Sequence, residues 1–165
     1  MAAPTAAQIT TPIKLWQHKN SPSAPLLSGK AGATAISVGM PLIQSSGLLV
    51  PATGDNTDDT EVVGLAQSAS TASGTTITYI PFWTGILFVA QLCSLANEST
   101  SPTTPADSNR FESYGLGVSQ TGSKYFLDLD NTTDALFCVI DILDVATVRG
   151  RVICTPNAAT TVWGV

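Results

Sequence analysis

The chain has 165 residues, of which 44% are hydrophobic and only 12% charged, and its net charge is −5. One domain is the expectation at this length, generic nucleic-acid binding is excluded for want of clustered Lys and Arg, and so few charges imply a surface covered by partners. The longest apolar stretch, 80–95, is broken by Pro81, Thr84, Gly85, Gln91 and Ser94, so no membrane helix is expected.

Lys, Glu and Arg, which fill exposed helix faces, are scarce, whereas Thr, Val and Ile suit pleated, half-buried surfaces. An all-β domain follows. Residues 1–11 are small and polar without periodicity. Pro12 to Lys19 alternates, with Ile13, Leu15 and Gln17 opposite Lys14, Trp16 and His18, and reads as a short strand or extended arm. Asn20 to Ala33, rich in Ser, Pro and Gly, reads as a long loop. Strands are predicted over 35–43, 48–50, 61–68, 75–82 and 86–92, with a break or bulge at Trp83-Thr84-Gly85. A Ser/Thr/Pro loop over 97–109 precedes further strands at 111–120, 124–130, 136–143 and 148–154, and Asn131 to Asp134 could cap a turn of helix.

Nine or ten short strands at this spacing describe a single small β-barrel or sandwich. The expected organisation is an N-terminal arm and loop over 1–33 and a β-domain over 34–165. Period-two registers assign the core to Ile77, Tyr79, Ile86, Phe88, Leu127, Leu129, Leu136, Cys138, Ile140, Val152 and Cys154. Asp128 and Asp130 fall on a polar face, where at least one is expected to pair with Arg149 or Arg151 across strands.

The chemistry of catalysis is not legible. His18 is the single histidine and has no nucleophile or acid at motif spacing. Cys93, Cys138 and Cys154 make neither a disulfide framework nor a zinc motif, and read as buried free thiols of a protein made in a reducing cytosol. The acidic loop Asp55 to Glu61 lacks calcium-loop spacing and reads as solvated, with weak cation binding the alternative. The N-terminus has no basic region followed by an apolar one, so no signal peptide is expected, and the Asn97 and Asn131 sequons read as coincidence. No cofactor and no metal are expected.

Charge is unevenly placed: residues 1–54 carry three lysines and no acid, residues 55–109 six acids and no base. A basic N-terminal third could guide an arm onto an acidic partner. The arm, residues 1–19, is expected outside the compact core, contacting a neighbouring subunit or partner through Ile13, Lys14, Leu15, Trp16, His18 and Lys19. The competing reading makes Ile13 to Gln17 the first strand of the same domain.

Four segments carry a resemblance: Gly39-Met40-Pro41-Leu42-Ile43, Gly47-Leu48-Leu49-Val50-Pro51-Ala52-Thr53, Val62-Val63-Gly64-Leu65-Ala66 and Gly74-Thr75-Thr76-Ile77-Thr78. Together they resemble the small β-rich head decoration (cement) proteins of tailed bacteriophages, of the β-barrel or β-tulip type. The segments 125–132, 136–140 and 148–153 also resemble phage virion proteins. The resemblance implies a non-enzymatic protein, made in the host bacterial cytoplasm and often trimeric, that sits on the outer capsid surface of the virion and clamps subunits of the major capsid protein. Alternatives are another virion part, such as a tail, head-fibre or receptor-binding component, and a β-sandwich binding module.

Overall fold

The computed structural model describes residues 13–16, 24–52, 62–94, 103–119, 124–144 and 150–157. They form an all-β fold of eleven strands: β1 (Lys14–Leu15), β2 (Leu27–Lys30), β3 (Pro41–Ser45), β4 (Leu48–Pro51), β5 (Val62–Ala66), β6 (Thr76–Pro81), β7 (Phe88–Cys93), β8 (Ser113–Val118), β9 (Tyr125–Asp128), β10 (Phe137–Ile142) and β11 (Arg151–Pro156). The helical turn expected at Asn131 does not form. Instead the Asn131 side-chain oxygen accepts the Asp134 N–H at 3.1 Å and closes a turn.

Two sheets share one interior. The first runs β1-β7-β11-β10-β8-β9 and closes on itself through a parallel pairing of β9 with β7. On β7, residues 88–91 pair with β11. The opposite edge is divided between β1, at 88–89, and β9, at 92–93. The second sheet runs β2-β6-β5-β3-β4, and a parallel bridge from Ala31 to Leu49 brings β4 back beside the end of β2. Closure of this kind removes the unpaired edges that otherwise template aggregation.

The main core gathers Val62, Leu65, Ile80 and Phe82 from the second sheet against Phe88, Leu92, Leu127, Phe137, Val139 and Val152 from the first. Three rings meet at the seam. Phe82 lies 5.1 Å from Phe88 and 4.9 Å from Phe137, Phe88 lies 5.9 Å from Phe137, and all three contacts are edge-to-face. A smaller core of Ala31, Ile36, Leu42, Leu49, Val63, Ala66 and Ile77 fills the second sheet. β5 therefore buries both of its faces, and no residue along Val62–Ala66 is exposed. Its Gly64 is required by this crowding, because a Cβ there would lie 2.3 Å from the Ile80 carbonyl oxygen. Gly117 is squeezed in the same way against the Phe126 ring, 2.2 Å from where its Cβ would be.

Three further expectations, about the strands, change. The loop predicted over 20–33 contains β2, whose Leu27–Lys30 pair with Tyr79–Thr76 of β6. The alternation there is masked by Ser28 and Gly29, and neighbouring β6 supplies the register. Residues Ile13–Trp16 are not an arm outside the core. Ile13 is 1% exposed in the main core, β1 pairs with β7, and the Trp16 N–H reaches the Leu87 carbonyl at 2.8 Å. The division at 33/34 thus falls within one folded body as far as the described residues go, and residues 1–12 and 17–23 lie outside them.

The third change is the register of β10. Leu136 is buried as expected, but inside the strand Phe137, Val139 and Ile142 face the core, whereas Cys138 is half-buried and Ile140 is 37% exposed. Leu136 precedes β10, so an alternation counted from it is out of phase with the strand, which begins at Phe137, and the bulge between Val139 and Asp141 then shifts the pairing with β11 by one residue. That shift brings Ile142 inward and leaves Asp141 at the surface. Among the other expected core positions, Ile77, Phe88, Leu127, Val152 and Cys154 are fully buried, and Tyr79, Ile86 and Leu129 pack at the margins.

One buried and one exposed position test these assignments. Phe88→Ala should cost about 3–5 kcal/mol through the cavity left in the aromatic seam. Ile140→Ala should stay within about 0.5 kcal/mol of wild type. Urea denaturation midpoints at constant m-value check both.

Candidate functional site

The segment expected to make contacts is largely used inside the molecule. Ile13 is in the core, Leu15 and Trp16 are half-buried, and Lys14 alone of the described four is exposed. A two-residue strand has little to hold it except its neighbours, so the apolar alternation that suggested a free arm is satisfied by β7 instead. His18 and Lys19 lie outside the described residues, as does the acidic loop Asp55 to Glu61.

The carboxylates have local roles. Asp128, expected on a polar face, is 3% exposed, and one of its side-chain oxygens accepts the Asp130 N–H at 3.0 Å. The Ser94 hydroxyl donates to Asp130 at 2.6 Å. Arg151, expected to pair with one of them, makes a two-pronged contact with Asp144 at 2.7 and 2.9 Å. The reason is topological: β7 stands between β9 and β11, while Asp144 follows β10, the strand beside Arg151. Arg149 is outside the described residues. Among the described residues no group of three His, Cys, Asp or Glu could hold a metal ion. Cys93 and Cys154 are buried, and burial pushes the Cys154 thiol up, which keeps it protonated and unreactive.

Two features stand out on the surface of the described residues. The first is a groove of about 450 Å³ where β3 and β4 of the second sheet meet β8 and β9 of the first. Its walls include Met40, Ile43, Val50, Ala52, Val118 and Tyr125. The Tyr125 hydroxyl donates to the Ala52 carbonyl at 2.7 Å, tying the two sheets together at the groove floor. Burial pushes the Tyr125 hydroxyl up to about 12.

The second is the turn that leads into β8. Asp107–Asn109 form a short 3-10 helix, and the chain then reverses through Arg110 (φ −66, ψ 134) and Phe111 (φ 64). The Glu112 N–H points back to the Asn109 carbonyl at 3.4 Å, which makes this a type II turn with Phe111 at its second central position. The Phe111 N–H donates to the Val139 carbonyl at 2.7 Å and the Val139 N–H to the Glu112 carbonyl at 2.9 Å. Two residues therefore oppose one, in a bulge whose first position ordinarily belongs to glycine. Phe111 is 73% exposed. Arg110 is held by Asp107 at 3.2 Å and by Asp141 on β10. The guanidinium, donating to Asp141 with help from the Ile142 N–H at 2.8 Å, keeps that carboxyl below the usual range. Sequence periodicity reads Phe111 as the opening of a strand. Nothing in the residue pattern marks a left-handed turn, because the glycine that would signal one is absent.

No protein-family model matches the chain, and no curated protein matches it. No helix of the described residues is long and apolar enough to cross a membrane.

The buried tyrosine yields a pH test. Its neutral form is favoured in the folded state, so its contribution is fully present below pH 10, its unfolded value, and is lost as pH rises toward about 12. Wild type should lose stability over that interval, and Tyr125→Phe should flatten the loss. At neutral pH the same variant should cost about 1–3 kcal/mol, because the buried Ala52 carbonyl loses its donor. Denaturation midpoints measured from pH 7 to 12 read both effects.

Proposed function

We propose that the chain is a non-enzymatic structural protein of a phage virion that binds the outer face of the capsid and stabilises contacts between subunits of the major capsid protein. The observation that carries this reading is spatial. The four segments that resemble head decoration proteins, 39–43, 47–53, 62–66 and 74–78, supply β3, β4, β5 and β6. These strands are consecutive neighbours in one sheet, in the order β6-β5-β3-β4. Degenerate motifs scattered by chance would not have to fall on adjacent strands.

The physical character of the body supports the same reading. Short paired strands, a shared aromatic core and few surface charges make a rigid block suited to lying against neighbours in a lattice. Repeated weak contacts across such a lattice add through multivalency. Self-association, with a trimer favoured, belongs to the proposal.

The test is co-assembly. The chain should co-sediment with expanded empty shells of the major capsid protein of the same phage, and should raise the temperature at which those shells rupture. Shells that sediment without it, across a concentration range reaching tens of micromolar, would overturn the reading.

A further inference from the structure

We infer that the Phe111 turn is the knob by which this protein docks on its partner, and that the partner presents an apolar pocket edged by lysine or arginine. The inference rests on the capsid-binding reading and assigns that contact to one end of β8.

Two independent costs meet at Phe111. A bulky side chain in the left-handed region is a backbone outlier, at a turn-and-bulge position where glycine carries no penalty. The same residue holds its ring in water, 73% exposed. Core packing does not account for the aromatic, since the ring is outside the core. The hydrogen bonds to Val139 do not account for it either, since they are backbone bonds that glycine would make equally well. The turn is nonetheless firmly built. Arg110 ties it to Asp141 of β10, the Asn109 side-chain oxygen accepts the Ala106 N–H at 2.8 Å, and the Asn109 amide donates to the Tyr114 hydroxyl at 2.8 Å. A preorganised aromatic on a rigid mount is the form a binding anchor takes, because little ordering entropy remains to be lost on docking. Ile140, one residue along from Val139, adds exposed apolar surface beside it.

The rim indicates the occupant. Among the described residues, Asp107, Glu112 and Asp141 lie about the turn with one guanidinium, Arg110, in a chain whose net charge is −5. Charge complementarity therefore calls for a basic rim around the pocket that takes the ring.

Phe111→Gly is the decisive variant, because it removes the ring and relieves the backbone together. It should melt no lower than wild type. Its affinity for shells of the same phage's major capsid protein should fall at least about 30-fold, the scale of a hot-spot residue. Val38→Ser, a change at another exposed apolar residue, should leave affinity unchanged. Wild-type binding should weaken with added salt, and Glu112→Lys should both weaken it and reduce that salt dependence. If wild type binds and Phe111→Gly binds equally well, the knob assignment is overturned while the capsid reading stands. If Phe111→Gly instead changes the oligomeric state of the free chain and leaves shell affinity intact, the knob belongs to a self-contact and the assignment is likewise overturned. If wild type binds no shells, both fall.

Discussion

The meeting of Phe82, Phe88 and Phe137 is the contact on which the two sheets depend. Phe82 leaves the second sheet at the end of β6, while Phe88 and Phe137 belong to β7 and β10 of the first. Strands of two to six residues have no independent stability, and neither sheet can bury its inner face alone. Each edge-to-face pair contributes about 0.5–1.5 kcal/mol beyond simple burial, and full burial of each ring roughly 1.5–3 kcal/mol more. The order of the chain makes the seam possible. The turn at Trp83–Gly85 carries the backbone from one sheet to the other within a few residues, which brings Phe82 and Phe88 together across the joint.

Polar groups close the structure around that seam. Tyr125 crosses from β9 to the Ala52 carbonyl, and Arg151 clamps the segment after β10 through Asp144. These bonds keep buried acceptors satisfied, and their geometry leaves few choices for how the sheets are stacked. Among the described residues, the result is a body with little exposed chemistry. Against it the turn at Phe111 is conspicuous, since the fold has been kept rigid and charge-poor elsewhere while an aromatic is raised into solvent on a strained backbone.

Much of this architecture was legible in the residues. The alternation of Thr76 to Pro81, the apolar run from Phe88 to Cys93 and the Tyr125 to Asp128 pattern all appear as strands where they were expected, with Ile77, Phe88 and Leu127 facing inward. Alternation in β6 and a continuous apolar run in β7 need no partner to be read, because each is a local pattern of burial, although β7 and β9 bury both of their faces. β2 escaped notice because Ser28 and Gly29 show no such face. Its register comes from hydrogen bonds to β6, which belong to a residue some fifty positions away along the chain.

What the sequence by itself determined, then, was the class of fold, the scarcity of chemistry-bearing groups and the inward positions of regular strands, since each follows from composition or from local alternation. Tertiary structure alone decided the rest. It drew Ile13 into the core through pairing with β7, began β10 at Phe137 so that Val139 rather than Cys138 faces inward, turned Ile142 inward by a bulge, and took Arg151 to Asp144 because β7 stands between it and β9. It also placed Phe111 in a left-handed turn. Each of these outcomes depends on which strand lies beside which, and a strand's neighbour is set by long-range packing that no local pattern encodes.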